Sequence, residues 1–310
     1  MKVTCGSFSV LAVLLAGFVT PVAGTPVAYW TFDSSVTADT ITGDGSQDLA
    51  TAGNDSASIV QNTDVPGPSI FDPLTSTTRA NSNSVIMTGN KTLTGGNQSD
   101  NGAARLQTTG SDLQGVNESF TFETFLKVSN LSLNNGNVSI LGQYSNSAGS
   151  GGTNEGWLSQ LRPLDGTPDT LTFIDLDDGN NPNDGVVNAP WTSNPTADGG
   201  WHHVAWVYDQ SSGEFAHYVD YAMVASATID TSTFDYERNQ VLQFGVRFIS
   251  NVNTEGETSE VTLLFDEARY STSALDSSDF LVAVPEPSSL ALIVCAGLGL
   301  LGRRRFRTTK

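Results

Sequence analysis

Residues 119–128 read Ser-Phe-Thr-Phe-Glu-Thr-Phe-Leu-Lys-Val. Phe120, Phe122, Leu126 and Val128 recur at a period of two, with Thr121, Glu123 and Lys127 at the alternate positions. Successive strand side chains point to opposite faces, whereas a helix would scatter this set around its axis. The stretch therefore predicts an antiparallel strand with one face buried and the other toward water.

The same signal returns at 138–143, 156–161, 170–175, 201–208, 215–221, 241–247 and 261–270. Upstream, 33–118 is rich in Ser, Thr, Asn, Asp and Gly, with short apolar bursts at 84–87 and 103–107 that read as brief strands between long surface loops. The linkers keep no fixed period, so there is no internal repeat. About ten strands separated by turn-rich gaps predict an all-β, antiparallel two-sheet sandwich rather than βαβ units. The runs 201–208 and 215–221 flank Asp-Gln-Ser-Ser-Gly-Glu, a loop suited to a hairpin. One short helix is expected near 273–281, capped by Asp276 or Ser277 and carrying Phe280 and Leu281.

Both ends depart from this pattern. Lys2 precedes an apolar run at 10–19 that closes on Val22-Ala23-Gly24, the pattern of a secretory signal peptide cut by signal peptidase after Gly24. Cys5 lies before that run rather than at its end, which excludes a lipoprotein. Cys5 and Cys295 are the two cysteines, so the segment between them has no disulfide and must hold itself by burial. Lys2, Arg303, Arg304, Arg305, Arg307 and Lys310 account for six of the 14 Lys and Arg, leaving eight against all 33 Asp and Glu, a net of −25. Such a surface repels nucleic acid and anionic lipid and favours cations or neutral partners.

Oxygen ligands are densest at 175–185, Asp-Leu-Asp-Asp-Gly-Asn-Asn-Pro-Asn-Asp-Gly, where Asp175, Asp177, Asp178, Asn180 and Asp184 are candidate Ca²⁺ ligands. Gly179 and Val186 break the EF-hand pattern, and a solvated turn-rich loop is the competing reading. His202 and His203 are adjacent, so a regular strand points them apart and they cannot share one ion. If Tyr208 pairs with Phe215, His203 falls opposite Asp220 as a structural hydrogen-bonded pair.

Glycoside hydrolysis needs two carboxylates about 5 to 9.5 Å apart. The spacing Glu-x-Asp-x-x-Glu is absent, and Asp266 and Glu267 are expected on opposite faces. No G-x-S-x-G or P-loop occurs. Trp157 and Trp191, beside loops, are the candidates for stacking sugar rings, while Trp30, Trp201 and Trp206 are expected in the core.

Ordered blocks across the chain resemble the laminin-G-like, concanavalin-type jelly rolls of bacterial secreted proteins. They are Val-Ala-Tyr-Trp-Thr-Phe-Asp at 27–33, the 120–127 strand, Trp-His-His-Val-Ala at 201–205 with Tyr208-Asp209, Leu-Gln-Phe-Gly at 242–245, and Phe-Asp-Glu-Ala-Arg-Tyr at 265–270 followed by Ala274-Leu275. The resemblance implies two antiparallel sheets face to face, with the 201–208 strand near the centre. That family usually has Gly after the Asp of a Val-Asp pair, whereas Tyr221 follows Asp220 here. The resemblance thus leaves the tightness of that turn unset.

The C-terminus resembles a PEP-CTERM sorting tail: Val284, Pro285, Glu286 and Pro287 form the motif, 289–302 an apolar helix, and Arg303, Arg304 and Arg305 a basic stop. That resemblance implies an exosortase-type membrane enzyme as partner. At ~1.5 Å per residue the apolar helix spans roughly 21 Å, short of a ~30 Å hydrocarbon core, which suits a temporary address better than a permanent anchor. The arginines would stay cytoplasmic and the domain outside.

These features divide the chain into a signal helix (1–24), a sandwich (25–281) and a sorting tail (282–310). They point to an exported, non-enzymatic surface or matrix protein, transiently anchored by its C-terminal helix, that binds polysaccharide or serves as structure. A carbohydrate-active hydrolase with carboxylates from separate strands and a protein-adhesion module stand as alternatives.

Overall fold

The computed structural model describes residues 26–37, 48–53, 58–92, 103–109, 113, 119–132, 137–144, 156–164, 167–174, 185–190, 199–229, 242–249 and 258–285. Both terminal segments expected to form helices lie outside them.

The strands among these residues are β1 (Pro26–Trp30), β2 (Leu49–Gly53), β3 (Ser58–Asn62), β4 (Ser69–Asp72), β5 (Thr77–Ala80), β6 (Ser84–Thr92), β7 (Ala104–Thr108), β8 (Phe120–Ser132) and β9 (Asn137–Tyr144). They continue with β10 (Gly156–Leu164), β11 (Thr167–Ile174), β12 (Gly185–Pro190), β13 (His202–Asp209), β14 (Glu214–Val219), β15 (Ala222–Thr228), β16 (Leu242–Ile249), β17 (Thr258–Ser271) and β18 (Val282–Val284). An eight-stranded sheet runs β15-β14-β13-β8-β17-β6-β3, with β1 also paired to β17. A seven-stranded sheet runs β12-β11-β10-β9-β16-β7-β2, and a three-stranded sheet runs β18-β4-β5. The two large sheets are the antiparallel sandwich that the alternation predicts.

Alternate residues of each large sheet meet in one core. Trp30, Phe122, Leu126, Trp206, Phe265 and Tyr270 come from the first sheet, and Leu106, Val138, Leu141, Trp157, Leu161 and Phe244 from the second. Phe120 stacks between Trp157 at 5.4 Å and Tyr270 at 5.8 Å between ring centroids. Each such side chain contributes about 1.5–3 kcal/mol by leaving water, which is what holds a disulfide-free domain.

The hairpin register is as the sequence predicts, with Tyr208 opposite Phe215 and Asp209 opposite Glu214. Asp209 anchors its loop by accepting from the Ser211 N–H at 2.9 Å and from the hydroxyls of Ser211 and Ser212 at 2.8 Å each. The next turn stays tight despite Tyr221: Val219 pairs with Ala222, and Asp220 and Tyr221 take positive φ of 49° and 69°.

Three expectations are corrected. First, β8 is buried on both faces: Thr121 and Glu123 are as inaccessible as the phenylalanines beside them. The three-stranded sheet and the segment after β17 form a third layer there, seating Ile70 and Leu281 against Tyr29 and Phe125, and Leu275 and Phe280 against Ala205 and Val207. Second, Asp266 and Glu267 do not point to opposite faces. A β-bulge shifts the β17–β8 register between Asp266 and Arg269, with Glu267 at φ 57°. Phe265, Ala268 and Tyr270 therefore enter the core, and Asp266, Glu267 and Arg269 all face the third layer. Third, the expected helix is a single 3-10 turn, Ser277–Asp279, after Asp276. Arg269 takes the Asp279 carbonyl (2.7 Å) and Glu123 takes the Leu281 N–H (2.8 Å), and these partners draw the chain into an extended path.

Candidate functional site

Beneath the third layer lies a buried charge cluster. Arg269 donates from Nε at 2.7 Å, and also from Nη2, to Glu123 Oε1, and from Nη1 to Asp72 Oδ1 at 2.7 Å. The other Glu123 oxygen accepts from the Leu281 N–H and, at 2.8 Å, from His203 Nε2. Burial would raise the Glu123 pKa, but the Arg269 charge, then His203 and the Leu281 amide, outweigh it and hold the carboxyl below its usual value. Asp72 is held in turn by the Leu74 N–H and the Thr75 hydroxyl, both at 3.0 Å.

A second group adjoins it. Glu267 accepts from the Tyr29 hydroxyl at 2.7 Å and pairs with Arg79, which also reaches Asp33 at 3.1 Å. Asp266 accepts from Asn81 Nδ2 at 2.7 Å, and burial pushes its carboxyl well above the ordinary range. Glu123 from β8 and the neighbours Asp266 and Glu267 from β17 thus place three carboxyls on one side of the sheet. All three are sealed at 0% exposure, so none meets a solvent-borne substrate in this conformation.

The histidines separate as strand alternation requires. The His203 main chain does lie opposite Asp220, whose N–H donates to its carbonyl at 2.8 Å. The side-chain pairing differs from expectation: the His202 ring meets Asp220 (Nδ1 to Oδ2, 2.8 Å), while His203 turns to Glu123. His203 is stacked between Tyr221 and Phe280, with centroids 4.7 and 5.2 Å away. His217 stacks on Trp206 in the core, where burial pushes its pKa down to about 3.

On the outer face of the seven-stranded sheet, Arg105 and Gln243 alternate with the core residues Leu106 and Phe244. Two irregularities adjoin there, one in β9 at Ile140 and one in β16 between Phe244 and Arg247. Between them lies a shallow dimple of about 10 Å³ lined by Arg105, Ser139, Ile140, Gln243, Phe244 and Gly245. Gln243 Oε1 accepts from Arg105 Nη1 at 3.0 Å, which fixes both side chains at the rim. Gly245 is required: its φ is 131°, and a Cβ would lie 2.5 Å from the Ala104 carbonyl and 2.7 Å from Met87 Sδ. Amide, hydroxyl and guanidinium groups at such a recess suit the hydroxyl and ring-oxygen pattern of a glycan.

The Laminin_G_3 family model, described as the concanavalin A-like lectin/glucanases superfamily, matches residues 79–279, more than half of the chain. The chain belongs to this superfamily. Solved structures of similar fold include the binding domain of botulinum neurotoxin DC in complex with SialylT, at TM-score 0.53 and 10% identity over 82% of this chain and 49% of that one. Another is a botulinum neurotoxin type C structure, described through cell entry dependent on two ganglioside molecules, at TM-score 0.52 and 9% identity with the same coverages, 82% and 49%. The neurotoxin DC domain in complex with rat synaptotagmin II gives TM-score 0.51 at 10% identity, again over 82% and 49%. The chain spans about half the length of these structures, and at this identity the likeness shows the fold. No curated protein matches the chain significantly.

Within this concanavalin-like sandwich the residues named from the sequence scatter. Trp157, proposed for sugar stacking, is fully buried against Phe120 and Phe215, because its register opposite Gln143 turns the ring inward. Trp30 and Trp206 are core as expected, whereas Trp201 is only partly buried and donates from Nε1 to Asp64 at 2.9 Å. Trp191 and the Asp175, Asp177, Asp178, Asn180 and Asp184 loop lie outside the described residues, as do Glu286, Pro287 and everything after them. Among the described residues no group of three or more His, Cys, Asp or Glu could hold a metal ion, and no helix is long and apolar enough to cross a membrane. Sequence reasoning missed Arg105 and Gln243. The signal available was Gly245 within the Leu-Gln-Phe-Gly block, a strand glycine that marks a bulge.

Proposed function

We propose that this chain is an exported, non-catalytic glycan-binding or matrix protein whose ligand lies on the recess beside Arg105, Ser139 and Gln243. The observation that carries this is the contrast between the two faces. Arg105 and Gln243 are partly exposed beside the recess, while the carboxylates that hydrolysis would need are sealed and committed to Arg269, Arg79 and Asn81. Fold neighbours described with SialylT and with gangliosides support a glycan, and the one described with rat synaptotagmin II keeps the protein-adhesion reading alive. The superfamily's description also names glucanases, so hydrolysis is the rival to be tested.

The address in this proposal comes from the ends of the sequence. Residues 1–24 act as the signal, and Val284, Pro285, Glu286 and Pro287, the apolar 289–302 and Arg303 to Arg305 act as the sorting tail. A Ca²⁺ requirement at the 175–185 loop belongs to the same proposal.

Polysaccharide pull-down with and without a chelator is the test. Retention that falls when Gln243 or Arg105 is replaced by Ala supports the recess, and unchanged retention places the ligand elsewhere. Release of reducing ends from the bound polysaccharide overturns the non-catalytic reading. A chelator that alters neither binding nor melting removes Ca²⁺ from the proposal.

A further inference from the structure

Tyr221 is an unusual residue for its place. The turn Asp220-Tyr221 closes a two-residue hairpin with both φ positive, a conformation that favours Asn-Gly and strains a bulky side chain. A strained aromatic persists where its surroundings hold it, and the contacts of Tyr221 show what holds it. The ring lies flat on His203, with an interplanar angle of 11°. Its hydroxyl donates to the Leu281 carbonyl at 3.2 Å. The phenol therefore ties the main chain just before β18 to the hairpin turn. From the other side, Glu123 holds the Leu281 N–H. The β18 ladder then pairs Val282, Ala283 and Val284 with Phe71, Ile70 and Ser69, and Pro285 beyond it is exposed.

We propose that Tyr221 is a latch that closes the C-terminal strand β18 onto the sandwich and so makes the bond after Val284 the first one open to a processing enzyme. Proteases take up substrate as an unpaired extended strand, so a bond inside the β18–β4 ladder is protected until β18 peels away. Peeling would uncover Leu281 and strip a donor from the buried Glu123 carboxylate. Cleavage, in which water adds across one peptide bond to leave a carboxylate on the domain and an amine on the tail, falls C-terminal to Val284 and leaves the fold intact. The identity of the processing enzyme rests on the sorting reading above; the latch does not.

Limited digestion of the full chain by a broad-specificity protease, followed by intact mass, tests the latch. Wild type should give a limit fragment ending at Val284 or later. Tyr221→Phe keeps the ring and loses the hydroxyl, and cutting within 275–284 should speed up roughly fivefold for the hydrogen bond lost. Tyr221→Gly removes strain and latch together and should be cut there too. If Tyr221→Gly fails to fold, the Phe variant decides alone, since its packing is kept. Cuts within 275–284 in wild type, or a Phe variant with the wild-type limit and rate, overturn the latch. The mature C-terminus of chain exported from a host carrying the sorting enzyme is the second arm. An end at or after Val284 agrees with the latch and an end before Val284 contradicts it. An intact tail defeats the sorting reading and leaves the digestion result to judge the latch.

Discussion

Arg269 and Glu123 sit opposite each other on β17 and β8, and the guanidinium meets one carboxylate oxygen from two of its nitrogens with no part of either side chain exposed. The pair ties the sandwich to its third layer, since Arg269 also holds Asp72 and Asp279 and Glu123 also holds Leu281 and His203. Removing one partner leaves the other charge buried without its main counter-charge. Glu123→Ala or Arg269→Ala is expected to cost about 3–5 kcal/mol, read as a fall in urea midpoint. A loss below 1 kcal/mol would mean that the third layer docks without the pair.

Gly245 sets the recess. Gly245→Ala places a Cβ against the Ala104 carbonyl and Met87 at a φ of 131°. Stability should drop by roughly 1–3 kcal/mol from strain alone, and glycan retention should fall with it because Arg105 and Gln243 lose their register. A variant that melts normally and binds normally would show that the bulge has no part in the site.

His217 predicts the acid limb of the stability curve. Its folded pKa of about 3 lies below the ordinary value near 6.5, so the unfolded chain takes up the proton first. Stability is unaffected above about pH 6.5 and is lost as pH falls from there toward 3. His217→Phe, which can still stack on Trp206, should flatten Tm between pH 6.5 and 4. The Glu123 contribution runs differently, since its lowered pKa keeps it in place until pH falls below the ordinary carboxylate range. An unchanged slope in the Phe variant would assign the acid limb to other groups.

Asp266 acts at the other end of the scale. Burial raises its pKa, so its favourable protonated form is lost as pH rises from the ordinary Asp value through the folded one. Asp266→Asn keeps the shape without the charge. It should raise Tm more at pH 8 than at pH 4, by about 2–4 °C for each kcal/mol gained. A variant equally stable or less stable at pH 8 would argue that the ionised carboxylate is satisfied there.

Much of the frame was legible because it is written in local periodicity. The β8 alternation, the pairing of Tyr208 with Phe215 and the ordered blocks up to residue 270 each depend on residues close in sequence or on pattern alone. The brief strands β3, β4, β5 and β18 were not legible, since runs of three to five residues are too short to carry a periodic signal. Missing them hid the third layer, and with it the burial of Glu123 and the fate of Asp266 and Glu267.

The sequence by itself determined that this protein is an antiparallel sandwich held by burial rather than disulfides. Tertiary structure alone decided which face of β8 meets water, which ring partners which carboxylate, and where Trp157 points. The physical reason is separation along the chain: Glu123 and Arg269 are 146 residues apart and Asn81 and Asp266 are 185 apart. Alternation says only that a side chain has two faces to choose between, and what covers each face is set by strands that arrive from elsewhere.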